Sequence, residues 1–153
     1  MAAERLFKIL SAGVLVLGLG TTLAFASADD AIKGRQACMK GHGKMMGELA
    51  AIFKGEKPYD AAAVQASLAA NDAACADWDK WWGEDSKKGE TAETWAKPEI
   101  WSDPAGFKAA GENFYAKYVA FKATTDEASF KAAFPELGNG CKGCHDKFRR
   151  PKE

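Results

Sequence analysis

Apolar residues recur at steps of three and four through most of the chain, and no useful stretch alternates at a period of two. That spacing puts side chains on one face of an α-helix, so the pattern predicts a helical protein. The first helix is predicted from about Asp29 to Phe53, with Ile32, Arg35, Met39, His42, Met46, Ala50 and Phe53 along one stripe. Gly55-Glu56-Lys57-Pro58 stops it, because glycine admits the turn after a helix and proline cannot continue one. A second helix starts near Tyr59-Asp60 and aligns Val64, Leu68, Asn71, Cys75, Trp78 and Trp82, with polar Asn71 interrupting the stripe. A long connection runs from about Gly83 to Ser102, and its anchors Trp95, Pro98 and Trp101 predict that the second half is packed down. Asp103 as N-cap and Pro104 at the first helical position open the third helix, which carries Phe107, Gly111, Phe114, Tyr118 and Phe121. After a turn at Thr124-Thr125-Asp126, the fourth helix aligns Phe130, Phe134, Leu137, Cys141, Cys144 and Phe148, and Pro135 is expected to kink or split it. Four amphipathic helices, two short turns and one long connection predict an all-α, antiparallel four-helix bundle.

The 153 residues suffice for one domain, and 21 basic residues balance 21 acidic ones. No run of one sign suggests a nucleic-acid-binding face or an acidic tail. The N-terminus changes the picture more. Arg5 and Lys8 precede an apolar run from Ile9 to Phe25, and Ala24-Phe25-Ala26 and Ala26-Ser27-Ala28 both fit a small-x-small cleavage site. Residues 1–28 therefore read as a secretory signal peptide, cut after about 26 or 28, and residues 29–153 as the exported domain. A membrane anchor is the competing reading; the run is short for a span and Gly13, Gly18 and Gly20 weaken it. The expected location is the periplasm, with no membrane attachment after cleavage.

The chemistry concentrates at Cys141-Lys142-Gly143-Cys144-His145. On a helix, positions i, i+3 and i+4 share a face, so both thiols and the imidazole point the same way. Cys-x-x-Cys-His is the attachment signature of a c-type haem: two thiols add to the porphyrin vinyl groups, and the next histidine reaches the iron as proximal ligand. A structural zinc site would need four ligands, for which only Cys38, Cys75 and His42 remain as additional candidates. A thioredoxin-like motif would need a βαβ pattern, which is lacking. One haem c per chain, with its iron, is the cofactor expected. Export agrees with this, since bacterial haem c is attached outside the cytoplasm.

Several separated pieces of the chain resemble the class II c-type cytochromes, which include cytochrome c′ and its low-spin, methionine-ligated relatives. They are Arg35-Gln36, Lys54-Gly55-Glu56-Lys57-Pro58-Tyr59-Asp60, Lys97-Pro98-Glu99-Ile100-Trp101-Ser102-Asp103, and the run from Cys141 through Arg149. The resemblance covers about residues 31–150. It implies a left-handed antiparallel four-helix bundle with haem c held near one end by the last helix. It also implies a possible homodimer through the first two helices. The chain departs from the family pattern in carrying Cys38 and Cys75, in placing Trp95 before Pro98, and in having Trp81-Trp82 at the end of the second helix.

The same resemblance assigns roles. Arg35 is expected to pair with the haem propionates, as a guanidinium suits two carboxylates, with Gln36 beside it; a solvated surface arginine is the plain alternative. Met39, one turn later, faces the distal side of the haem. Either it binds iron as sixth ligand, or it packs over an open iron; His42, a further turn along, is the third option. Arg149, one turn after His145, is expected near the haem edge, or else it is a charge on the terminus. Cys38 and Cys75 stand equally far from the turn at Glu56-Lys57, level on two antiparallel helices, so a disulfide is predicted between them. The tryptophans are given no catalytic role. The expected function is one-electron transfer with His145/Met39 ligation and an unknown redox partner, the alternative a five-coordinate protein binding NO or CO. An enzyme such as a peroxidase fits less well, because no distal acid–base set exists beyond His42 and Arg35.

Overall fold

The computed structural model describes residues 27–151, so the segment read as a signal peptide lies almost wholly outside the described residues. Helix α1 spans Ala28–Phe53, α2 Ala61–Ala74, the short α3 Glu99–Ser102, α4 Pro104–Lys122 and α5 Glu127–Phe148. Two 3-10 turns, Trp78–Trp81 and Glu84–Lys87, shape the connection between α2 and α3. Helices α1, α2, α4 and α5 form the antiparallel bundle. Among the described residues there is no strand beyond one isolated bridge, Ala96 to Arg149. None of their helices is long and apolar enough to cross a membrane.

Side chains fix the helix ends. Ser27 and Asp30 form a reciprocal capping box at the start of α1, and Asp126 and Ser129 do so at α5. Asp60 accepts from Ala62 and Ala63 at α2, and Asp103 from Gly106 at α4, with Pro104 in the first turn. Gly55 closes α1 at φ +76°, a conformation that disfavours any residue with a Cβ.

Three sequence expectations need correction. The buried stripe of α1 is Ile32, Arg35, Cys38, Met45, Leu49 and Ile52, while Phe53 is 37% exposed. The expected stripe ran through Met39, His42, Met46, Ala50 and Phe53, about one position out of phase over its second half. Helix α2 stops at Ala74, with Cys75 as its C-cap, so Trp78 and Trp82 belong to the connection. Finally, Pro135 lies inside one unbroken helix α5. Proline cancels only the bond to the carbonyl of Lys131, and Lys131 is exposed.

The main core joins Met45, Leu49, Ile52, Val64, Leu68, Tyr118, Phe121, Phe130 and Leu137. These lie in the half of the bundle that holds the α1–α2 and α4–α5 turns. The antiparallel order brings the start of α1 and the end of α5 together at the opposite end, and the long connection covers them.

Candidate functional site

Cys141, Cys144 and His145 lie in the last two turns of α5, all half-buried, and the two cysteines are free thiols. Burial raises both thiol pKa values, with the neighbouring Cys141 adding to the effect at Cys144. The His145 pKa is lowered, first by burial and then by Arg149 and His42, against a smaller opposing effect of Asp146. The imidazole is therefore neutral at pH 7, with a lone pair free for a metal. A cleft of about 420 Å³ opens beside it, lined by Lys97, His145, Asp146, Arg149, Arg150 and Pro151. Backbone bonds hold this end closed. Lys97 donates to the Phe148 carbonyl (3.0 Å) and Arg150 to the Trp95 carbonyl (2.8 Å), tying the connection to the end of α5.

Arg35 is 5% exposed. Its guanidinium donates to the Trp81 carbonyl (3.2 Å), the Ser86 hydroxyl (3.2 Å) and the Ser86 carbonyl (2.7 Å). It also lies over the rings of Trp82 (4.8 Å) and Trp101 (5.6 Å). Trp81 can pack flat on α1 because residue 34 is glycine: a Cβ there would sit 2.4 Å from the indole Cε2. Trp82 is the hub of an aromatic row, 4.7 Å from Trp78 and 4.7 Å from Phe107, and Phe107 reaches Phe148 at 5.3 Å. Gln36 donates its amide to the Glu93 carbonyl (2.7 Å), a second tie between α1 and the connection.

Met39 is half-buried on α1 and belongs neither to the main core nor to the residues packed against it; Met45 and Met46 fill those places. Its neighbour Cys38 is fully buried and joined by a disulfide to Cys75, with Cα atoms 4.8 Å apart. His42 is drawn into this bridge. Its Nδ1 is 3.1 Å from the Cys38 carbonyl oxygen and 3.5 and 3.6 Å from the two sulfurs, and its ring meets Phe114 edge-on at 5.3 Å.

One measure of how these residues suit a haem is which of their polar atoms lack partners. Nε of Arg35, Nε of Arg149 and Nε1 of Trp82 are buried donors with no partner. Arg35 is a buried cation whose hydrogen-bond acceptors are all neutral. Buried charge and unpaired donors cost free energy, and the carboxylates of a haem are what such a set accepts. Two thiols and a neutral imidazole on one helix face, with these donors, are the chemistry that haem c would need; of the unpaired donors Arg149 lines the cleft beside His145, whereas Arg35 and Trp82 do not. Sequence reasoning singled out Arg35, Met39, Arg149 and the Cys-x-x-Cys-His run. It missed Ser86 and the structural part of Trp82, since a contact 51 residues away in sequence leaves no local signal.

The cytochrome c′ family model matches residues 30–149. The cytochrome c′ of Rubrivivax gelatinosus is 39% identical over 82% of this chain and 98% of its own. A cytochrome c-556 of Rhodopseudomonas palustris is 37% identical over 92% of this chain and 95% of its own. The crystal structure of the Rubrivivax protein superposes with a TM-score of 0.74 at 37% identity, covering 82% of this chain and 99% of that one. A nitric oxide complex of a cytochrome c prime mutant from Alcaligenes xylosoxidans gives 0.73 at 34% identity, covering 84% and 99%. The chain belongs to the cytochrome c′ family, whose members are four-helix bundles with one haem c per chain.

Proposed function

We propose that this family member is a periplasmic one-electron carrier in which both Met39 and His145 would bind the haem iron. The observation that carries the reading is the place of Met39: half-buried on α1, outside the apolar core that Met45 and Met46 serve, one turn after buried Arg35. When bound, the haem supplies an iron that alternates between ferric and ferrous, and Met/His ligation favours that use. The sulfurs of Cys141 and Cys144 would hold it covalently, and the neutral imidazole of His145 would bind iron. The unpaired N–H groups of Arg35, Trp82 and Arg149 would meet its anionic edge. The disulfide beside Met39 holds α1 to α2 and so limits how far the thioether can swing. The same bridge suits an oxidising compartment, in keeping with export. Arg35 and His42, the distal acid–base candidates among the described residues, are engaged with Ser86 and the disulfide, which supports a carrier rather than an enzyme.

A second reading rests on the nitric oxide complexes of the Alcaligenes relative: Met39 stays unligated and the open position takes NO or CO. One experiment separates the two. The absorption spectra of the oxidised and reduced haem protein should be low-spin, and Met39→Ala should convert them to high-spin while leaving the helical circular dichroism unchanged. A wild-type protein that is already high-spin and binds CO readily would discard Met39 ligation in favour of the gas-binding reading.

A further inference from the structure

A cluster of metal-ligating side chains lies outside the set that would hold the haem. The two sulfurs of Cys38 and Cys75 and the ring of His42 meet where α1 passes the end of α2, with all ligand atoms within 4.8 Å of one another. His42 follows Cys38 by one helical turn, which places its ring over the bridge. Its Nδ1 is 3.5 Å from one sulfur and 3.6 Å from the other. Around a tetrahedral zinc ion, with Zn–S about 2.3 Å and Zn–N about 2.0–2.1 Å, nitrogen and sulfur ligands stand about 3.5 Å apart. The imidazole is already at ligand spacing from both sulfurs, and the edge contact with Phe114 braces it there.

What closes the site is the bond between the sulfurs, which leaves neither a thiolate. A dithiol supplies two electrons and two protons and becomes a disulfide, or a phosphine supplies two electrons while water gives the two protons and the oxygen of the phosphine oxide; either way the S–S bond becomes two thiols. Unbonded sulfurs then move apart to van der Waals contact. That contact is close to the roughly 3.8 Å between two thiolates on one zinc ion. Cys75 is half-buried and Cys38 fully buried, so the reductant meets Cys75 first. We propose that Cys38, Cys75 and His42 form a thiol-gated site for a soft cation of the zinc or copper(I) class, shut while the disulfide stands and opened by its reduction. Binding releases the thiol protons, and the ion replaces any proton that Nδ1 shares with the Cys38 carbonyl oxygen. Asp72 is not a fourth ligand: Tyr118 and Lys122 both donate to its carboxylate. The fourth position is left to water.

The test uses the haem-loaded chain, in which Cys141 and Cys144 are thioethers and Cys38 and Cys75 are the remaining cysteines of four. Protein reduced with a phosphine and freed of it anaerobically is dialysed against zinc buffered by a competing chelator, and bound metal is counted by atomic emission. Far-ultraviolet circular dichroism follows helix content throughout. One zinc per reduced chain is expected, with none held by the disulfide form or by Cys75→Ser. His42→Ala should weaken binding by about tenfold or more. Equal binding by oxidised and reduced chains, unchanged affinity in His42→Ala, or loss of helix on reduction would each overturn the proposal.

Discussion

Reducing the Cys38–Cys75 bridge should destabilise the fold by about 4 kcal/mol. The bridge closes a loop with a sequence separation of 37. In the chain-entropy account, such a loop removes about 13 cal/mol/K from the unfolded state, which is about 4 kcal/mol at 25 °C. A domain of this size carries roughly 6–19 kcal/mol in all. The reduced protein should therefore remain folded, with its melting point lowered by about 10–20 °C. Guanidinium unfolding of the haem protein, with and without a phosphine reductant, measures the difference from midpoint and slope. The double variant Cys38→Ala/Cys75→Ala separates cross-link from packing: it should lose the same 4 kcal/mol plus about 1 kcal/mol for the side chain emptied at fully buried Cys38. A loss under about 1 kcal/mol on reduction would refute the reasoning. It would mean that the unfolded chain is already restrained in this loop.

Two further outcomes follow from polar contacts at the bundle's edges. Tyr118 donates to the Leu68 carbonyl (3.2 Å) and Asp72 (2.8 Å) and accepts from Asn71 (3.3 Å). Tyr118→Phe should cost about 2–4 kcal/mol in chemical unfolding, because buried Asn71 keeps no partner. The Tyr118 pKa is raised from 10.0 to about 12, mainly by burial, so its contribution is complete below pH 10.0 and lost as pH rises through about 12. The variant should lack that alkaline loss. Asp29 accepts from the Thr91 hydroxyl and from the backbone N–H groups of Thr91 and Ala92, which lowers its pKa from 3.8 to about 2. That contribution is present above 3.8 and lost as pH falls through about 2. Asp29→Asn should thus be less stable than the parent at pH 5 and equal to it after full protonation; a gap that persists there would count against the clamp.

Regular local signals were read correctly where one residue decides the outcome. Asp103-Pro104 starts α4, Gly55 ends α1, and the spacing of Cys141, Cys144 and His145 fixes their common face. The level positions of Cys38 and Cys75 followed from one turn and two helices. The phase of α1 was less legible. Its sequence offers apolar residues on several faces, Met39 and Met46 as well as Met45, Leu49 and Ile52, so periodicity alone admits more than one stripe. The helix serves two environments: its first half faces the connection, and its second half faces the core. The end of α2 was misplaced because Trp78 and Trp82 continue the helical spacing past Ala74. Their rings instead join Phe107 and Phe148 in a cluster that only the folded chain assembles.

The long connection shows why the least legible part of the chain is tied to the best-read motif. Among the described residues, four side chains from α1 and the segment after α5 hydrogen-bond to it: Asp29 at Thr91, Arg35 at Trp81 and Ser86, Gln36 at Glu93, and Arg150 at Glu93 and Thr94. Three of these belong to the first turns of α1, and the fourth follows directly on the end of α5. None is an apolar anchor of the kind a hydrophobicity pattern reveals. Yet Arg35 touches Trp82, whose row of rings runs through Phe107 to Phe148 at the end of α5. Desolvation lowers the Arg35 pKa, and the acceptors around it are carbonyl and hydroxyl oxygens without charge. A cation buried on such terms is tolerated only where other interactions over-determine it, and an anion supplied at its free Nε–H would relieve the cost. Occupancy of the Cys-x-x-Cys-His end by an anionic cofactor should therefore tighten residues 81–86 through Arg35. In the cofactor-free chain the same residues should exchange their amide hydrogens faster, and Arg35→Met should abolish the difference. Equal exchange with and without the cofactor would show that Arg35 serves the connection alone.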